Sequence, residues 1–134
     1  MYIHETTTRI RYSETDQMGY VYYGNYAGYY EVGRIESLRR LGFSYRSMED
    51  GGIMLPVLSF DIKYIKPAFF DDLLTLKTSV IGIPKARIRF EYEMTNEKSE
   101  LLNMGHTELV FINKNTNKPC QAPDDFLKAI STYF

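Results

Sequence analysis

Between Leu58 and Phe111 the chain alternates apolar and polar positions in four separate runs. Leu58-Phe60-Ile62-Tyr64, Leu74-Leu76-Thr78-Val80, Ile88-Phe90-Tyr92-Met94 and Leu109-Phe111 recur at every second residue, as strands with one face on a core require. Turn signals divide them at Pro67 to Asp72, Gly82 to Pro84 and Asn96 to Glu100. Connections this short suit antiparallel neighbours, so the four runs are expected to form a meander. An additional strand is expected over 6–12, where Ile10 and Tyr12 alternate with Arg9 and Arg11.

From Asn25 the period changes. In "NYAGYYEVGRIESLRRLG" the residues Tyr26, Tyr30, Gly33, Ser37 and Leu41 share a helical stripe, with Ala27 and Leu38 beside it. Asn25 is a preferred N-cap, Arg39 and Arg40 suit the negative end of the helix dipole, and Gly42 closes it. Gly28 and Gly33 each cost about 1 kcal/mol relative to alanine inside a helix, which points to close packing against another backbone. "SMEDGGIMLP" reads as a loop, "NKNTNK" at 113–118 as a hairpin or terminal loop, and a short helix is expected after Asp124. One sheet with one apolar face needs one cover, and only the helix from Asn25 to Leu41 is long enough. The prediction is an α+β fold in which about five antiparallel strands wrap around one long helix.

Length and charge narrow the picture further. A chain of 134 residues is expected to be one domain, 1–134, with one core. Acidic and basic residues nearly cancel, 17 against 16, so no global field favours nucleic acid or an anionic membrane surface. The single Cys120 can form no internal disulfide, and neither a spanning apolar run nor a charged leader is present; a cytoplasmic location is the expectation. Aromatics reach 15%, with twelve tyrosines and no tryptophan, a composition that suits clefts and interfaces.

Candidate chemistry concentrates in "DQMGYVYYGNY", residues 16–26. Asp16 is the one charge in this segment and lies between the first strand and the helix. A helix start offers unpaired N–H groups and about half a positive charge. A carboxylate held near it, with room for a carbonyl between them, is half of an acyl-transfer site. Gly19 allows the loop a tight turn, and Tyr23 and Gly24 open the helix. From the residues alone, a turn or capping role for Asp16 competes with the catalytic one.

"RYSETDQMGYVYYGNYAGYYEVGRIESLRRLG", residues 11–42, resembles the hotdog-fold thioesterases of the 4-hydroxybenzoyl-CoA thioesterase and YbgC-like acyl-CoA thioesterase group. The resemblance is carried by the lead-in from Tyr12 to Asp16, by Gly19 and Val21, by Asn25 and Tyr26, and by Glu31, Arg34 and Glu36. "FDIKYIKPAFFDDLLTLKTSV" and "GHTELVFIN" extend it along most of the chain. It implies a hotdog fold and hydrolysis of an acyl-CoA thioester, with no cofactor besides the CoA of the substrate. It further implies Asp16 as the essential carboxylate, the backbone amide of Tyr23 polarising the carbonyl, and association as a homodimer or homotetramer with sites at subunit interfaces. Some YbgC-like members carry His where this chain has Tyr23; members resembling 4-hydroxybenzoyl-CoA thioesterase have Tyr there.

Other residues complete the expectation. Similar members hold the CoA nucleotide with basic residues near the turn that "PKARIRF" matches, so Lys85 and Arg87 are the candidates here, a solvated face paired with Glu91 and Glu93 being the alternative. Tyr20, Tyr22, Tyr23, Tyr26, Tyr29 and Tyr30 are candidates for an aromatic-acyl pocket, an interface or core. Glu31 is a second, helix-borne carboxylate. His4 and His106 form no cluster for a metal, and His106 and Cys120 read as structural and incidental. Two further readings stand beside hydrolysis: a non-catalytic acyl-CoA or acyl-carrier binding module, and a dehydratase or hydratase that pairs an Asp with a His.

Overall fold

The computed structural model describes residues 1–134. Strand β1 (Tyr2–Arg9) leads through a 3-10 turn (Tyr12–Glu14) and a loop to a second 3-10 turn (Tyr23–Asn25), which runs directly into α1 (Tyr26–Arg40). There follow α2 (Tyr45–Asp50), β2 (Ile53–Met54), β3 (Val57–Tyr64), β4 (Leu73–Val80), β5 (Arg87–Thr95), β6 (Leu101–Val110), β7 (Ile112–Asn113), β8 (Lys118–Pro119) and α3 (Asp124–Ser131). Five strands form one antiparallel sheet in the order β1-β4-β5-β6-β3, and β2, β7 and β8 form a small separate one. With α1 against the apolar face of the large sheet, this is the hotdog arrangement.

The expected meander holds only for β4-β5-β6. Strand β3 pairs with β6 at the far edge, and β1 takes the place beside β4. Turn signals show where the chain leaves a strand and carry no information on which neighbour it joins next. The segment 65–72 first prolongs the attachment to β6, with the amides of Ile65 and Lys66 both donating to the Leu102 carbonyl at 2.8 and 2.9 Å. It then crosses to the other side of the sheet. Strand β1 starts and ends earlier than expected: Ile10 stays buried and exchanges backbone hydrogen bonds with Asp71 and Asp72, whereas Tyr12 is exposed and opens a 3-10 turn.

Inner faces of β4 and β5 are as anticipated, with Leu74, Leu76, Thr78, Val80, Ile88, Phe90, Tyr92 and Met94 buried. Helix α1 buries Tyr26, Tyr29, Tyr30, Gly33, Arg34, Ser37 and Leu38 against them. The stripe is therefore rotated from the expected one: Ala27 is exposed, and Tyr29 and Arg34 are buried. Arg34 is accommodated because its Nε donates to the Tyr45 hydroxyl at 3.0 Å. Tyr45 belongs to α2, a helix that the glycines after it disguise as loop and that Ser44 caps by accepting the Ser47 amide at 3.0 Å.

Close packing explains one helix glycine and not the other. A side chain at Gly33 would run into Leu76 and Thr78 of β4, whereas one at Gly28 would meet nothing within 4 Å. Gly105 on β6 has the same role as Gly33, since a Cβ there would meet the Asp61 carbonyl and the Tyr30 ring. The room lets Tyr30 stack on Tyr92 with ring centroids 4.3 Å apart and donate to Asn103 Oδ1 at 2.6 Å. Gly42 closes α1 with φ +90°, and α3 begins at Asp124 and buries Phe126 and Ile130. No helix is long and apolar enough to cross a membrane.

Candidate active site

Asp16 sits in a turn that closes on itself. The Asp16 amide donates to the Tyr20 carbonyl at 2.8 Å, and the Gly19 amide donates to the Asp16 carbonyl at 3.0 Å. Gly19 follows that bond at φ +80°, the left-handed region in which other side chains are strained, and so turns the chain back to place the Tyr20 carbonyl on the Asp16 amide. The carboxylate is held from within the turn: Oδ1 accepts from the amides of Met18 at 2.9 Å and Tyr20 at 3.3 Å. Its other oxygen, Oδ2, makes no hydrogen bond or ion pair. One oxygen is thus fixed in place and the other is left for a ligand.

The start of α1 lies beside this turn. The Tyr22 amide donates to the Glu14 carbonyl and the Asn25 amide to the Tyr22 carbonyl, each at 2.9 Å. Between them the N–H groups of Tyr23 and Gly24 have no partner, the ordinary condition of the first amides of a helix. Asn25 precedes α1 as expected but does not cap it. Its backbone is already helical, at φ −79° and ψ −19°, because the 3-10 turn has begun the coil. The side chain points elsewhere: Nδ2 donates to the Glu14 carbonyl at 2.8 Å.

A cleft of about 350 Å³ joins these two features. Asp16, Met18, Tyr20, Val21, Tyr23 and Tyr26 line it from the loop and the helix start, and Tyr64, Ile65, Lys66 and Pro67 from the end of β3. Asp16, Tyr23 and Tyr26 are therefore brought together, with Gly19 in the turn behind them. Tyr26 is 3% exposed, and burial pushes its hydroxyl above the usual tyrosine range, so the proton stays on. Its ring packs on Tyr64 with centroids 5.5 Å apart. Of the other candidate tyrosines, Tyr20 lines the cleft, Tyr22 lies outside it against Tyr23, and Tyr29 and Tyr30 are core.

Tyr64 and Lys66 reach the cleft from a strand whose destination the sequence did not reveal. Lys66 is paired with Glu100, and that hydrogen bond, helped by one from Asn96, holds the Glu100 carboxyl below the usual range. The signal that could have found them is the continuous "YIKP" at the strand's end.

Lys85 and Arg87 are not part of this cleft in the single chain. Asn103 of β6 lies opposite Tyr64, and Val110 lies opposite Arg87; seven residues of strand separate them, about 24 Å. Arg87 pairs with Glu108 at 2.8 Å and Arg89 with Glu91 at 3.6 Å, so in the single chain the partner of Arg87 is Glu108 rather than Glu91 or Glu93. Glu31 is exposed, 4.0 Å from Arg34, and does not line the cleft. His106 faces the other side of the sheet, where Nδ1 lies 3.2 Å from Asp61 Oδ1, in a hollow shared with Glu91 and Lys77. Cys120 is half-buried, its amide donating to the Phe111 carbonyl at 2.8 Å.

Comparison with known proteins identifies the family and the fold. A family model described as "Thioesterase-like superfamily" matches residues 10–130. The Escherichia coli protein named acyl-CoA thioester hydrolase YbgC is 29% identical over 115 residues, 86% of each chain. A solved DHNA-CoA thioesterase from Staphylococcus aureus superposes with a TM-score of 0.93 at 39% identity, over 99% of this chain and 91% of that one. A 4-hydroxybenzoyl CoA thioesterase mutant solved with 4-hydroxybenzoyl CoA shares the fold at a TM-score of 0.86 and 17% identity, over 96% of this chain and 99% of that one.

Proposed function

Because this chain belongs to the thioesterase-like superfamily, we propose that it hydrolyses acyl-CoA thioesters in the cleft between Asp16 and the start of α1. One observation carries the reading: a carboxylate with one oxygen tethered and one free shares a cleft with the opening of a helix whose first two N–H groups are unpaired. With the thioester carbonyl against the Tyr23 amide, the helix end stabilises the charge that develops on oxygen as the carbonyl carbon is attacked. Asp16 Oδ2 either attacks that carbon, giving a mixed anhydride that water then opens, or removes a proton from the water that attacks. In both routes a C–O bond forms, the C–S bond breaks, and the departing CoA thiolate takes up a proton. The buried, protonated Tyr26 hydroxyl and the Gly19 turn complete the binding surface.

The finer part of the proposal concerns a second copy of the chain. Strand β3 is an edge strand with a free row of backbone groups, and it exposes Val57, Leu58, Phe60 and Tyr64. Pairing this edge with its own copy about a two-fold axis is antiparallel, so the Val57 end of one strand meets the Tyr64 end of the other. Arg87 lies at the Val57 end of the sheet. The copy's Lys85 and Arg87 are thereby carried toward this chain's cleft, where they can hold the phosphates of CoA. A homodimer built this way has two sites, each made from both chains, and can pair again into a tetramer.

The test is release of free CoA from short, medium, long and aromatic acyl-CoAs by wild type and Asp16→Asn, which keeps the turn's size but cannot attack or accept a proton. The expected result is hydrolysis by wild type and a loss of about 10³-fold or more in the variant. Undiminished release by Asp16→Asn removes Asp16 from the mechanism.

A further inference from the structure

We infer that Asn25 is a positioning residue for this reaction: by donating to the Glu14 carbonyl, its carboxamide sets the separation between the Asp16 carboxylate and the free amides at the start of α1. The inference rests on the catalytic reading of those two features given above.

Asn25 occupies the place of a helix cap without capping anything, since its Nδ2 is 2.8 Å from a carbonyl eleven residues back in the chain. That carbonyl is where the site's two halves meet. Glu14 O accepts from the Tyr22 amide as well as from Asn25 Nδ2, so the two bonds flank the unpaired amides of Tyr23 and Gly24. On its other side Glu14 leads directly into the Asp16 turn, which is closed by the Thr15–Val21 bridge and the Asp16–Tyr20 pairing and so moves as one body. The residue is anchored from behind, its Oε1 accepting the Arg11 amide at 2.7 Å. Removing the Asn25 bond leaves the Tyr22 amide as the remaining hydrogen bond on the Glu14 carbonyl.

Asn25→Asp separates this role from a structural one. Aspartate equals asparagine as a residue at a helix start and adds a charge that the dipole favours. It has no N–H to donate, and its carboxylate faces the Glu14 carbonyl. A residue that only began the helix would tolerate the change; one that spaces reacting groups would not, because a misplacement of about 1 Å costs up to roughly 10²-fold in rate.

The experiment measures kcat, KM and melting temperature for wild type, Asn25→Asp, Asn25→Ala and Asp16→Asn on the acyl-CoA that wild type cleaves fastest. The expected result is a fall in kcat of about 10- to 100-fold in both Asn25 variants, with KM little changed and the melting temperature of Asn25→Asp still well above the assay temperature. Wild-type kcat in either Asn25 variant overturns the inference, as does a fall in melting temperature large enough to account for the lost activity. The Asp16→Asn arm keeps the two readings apart: if that variant is active the catalytic reading fails first, and if it is inactive while Asn25→Asp is not, only the present inference fails.

Discussion

The two edge strands of the sheet are equal in length and opposite in treatment. In β1 buried or half-buried positions (Tyr2, then His4, Thr6 and Thr8) alternate with exposed ones, and the Tyr2 hydroxyl donates to the Ser37 carbonyl of α1 at 2.6 Å. In β3, of the same eight residues' length, only Ile62 escapes full exposure. Both have strand composition; what differs is cover. Helix α1 packs on β1 and β4, with Gly33 letting it lie close to β4, and it leaves most of β3 bare. A chain that covers one edge and leaves apolar residues exposed along the other is finished on one side only. The open side is where Tyr64, Ile65 and Lys66 line the Asp16 cleft, so the exposed apolar edge and the candidate cleft are continuous.

A charge placed on each edge strand in turn tells the two edges apart. Leu58→Lys on β3 is expected to reduce the mass in light scattering to that of one chain and to lower CoA release by about 10²-fold, the scale on which misplaced reacting groups lose rate. Ile3→Lys, at an equally exposed position on β1, is expected to change neither. An unchanged mass in Leu58→Lys would mean that β3 is not an interface, and an equal loss in Ile3→Lys would mean that the two edges are equivalent.

A smaller effect sharpens the β1 side. His4 of β1 is half-buried, with an Nδ1 that has no hydrogen-bond partner. Burial first, then the charge of Arg40, lowers its pKa, with Glu36 and Glu5 opposing. A histidine depressed in the folded state binds its proton more readily when unfolded, so stability rises with pH through the window between the lowered value and about 6.5 and is lost below it. Melting temperature should therefore fall as wild type is acidified below that point, and His4→Gln should flatten this limb. An unchanged limb in the variant would assign the acid sensitivity to other groups.

Much of this architecture was legible because its signals are local. Period-2 runs located β4, β5 and β6, period 3.6 located α1, and the glycine-closed turn and helix start around Asp16 lie within one short segment. Strand order was not legible, because nothing in Pro67 to Asp72 specifies that the chain crosses from one edge of the sheet to the other. The set Leu58-Phe60-Ile62-Tyr64 is a strand as expected but is largely exposed, because α1 packs on β1 and β4 and does not extend over β3. The Glu14–Asn25 bond escaped notice for another reason: asparagine before a helix predicts a cap, and only coordinates show the carboxamide turned toward a distant carbonyl. Lys85 and Arg87 were found as a basic pair, but their distance from Asp16 is a property of register that only the ladder reveals.

In the proposed dimer each site draws Asp16 from one chain and Lys85 and Arg87 from its copy, an arrangement that subunit mixing tests. Asp16→Asn protein and Lys85→Ala/Arg87→Ala protein are each impaired alone when assayed well below KM. After dissociation and random reassociation, half of the dimers are mixed and each of these has one complete site of two, so the account predicts recovery of about a quarter of wild-type CoA release. Activity that stays at the average of the two separate variants would show that the carboxylate and the basic pair serve the same chain's site, and would contradict the account.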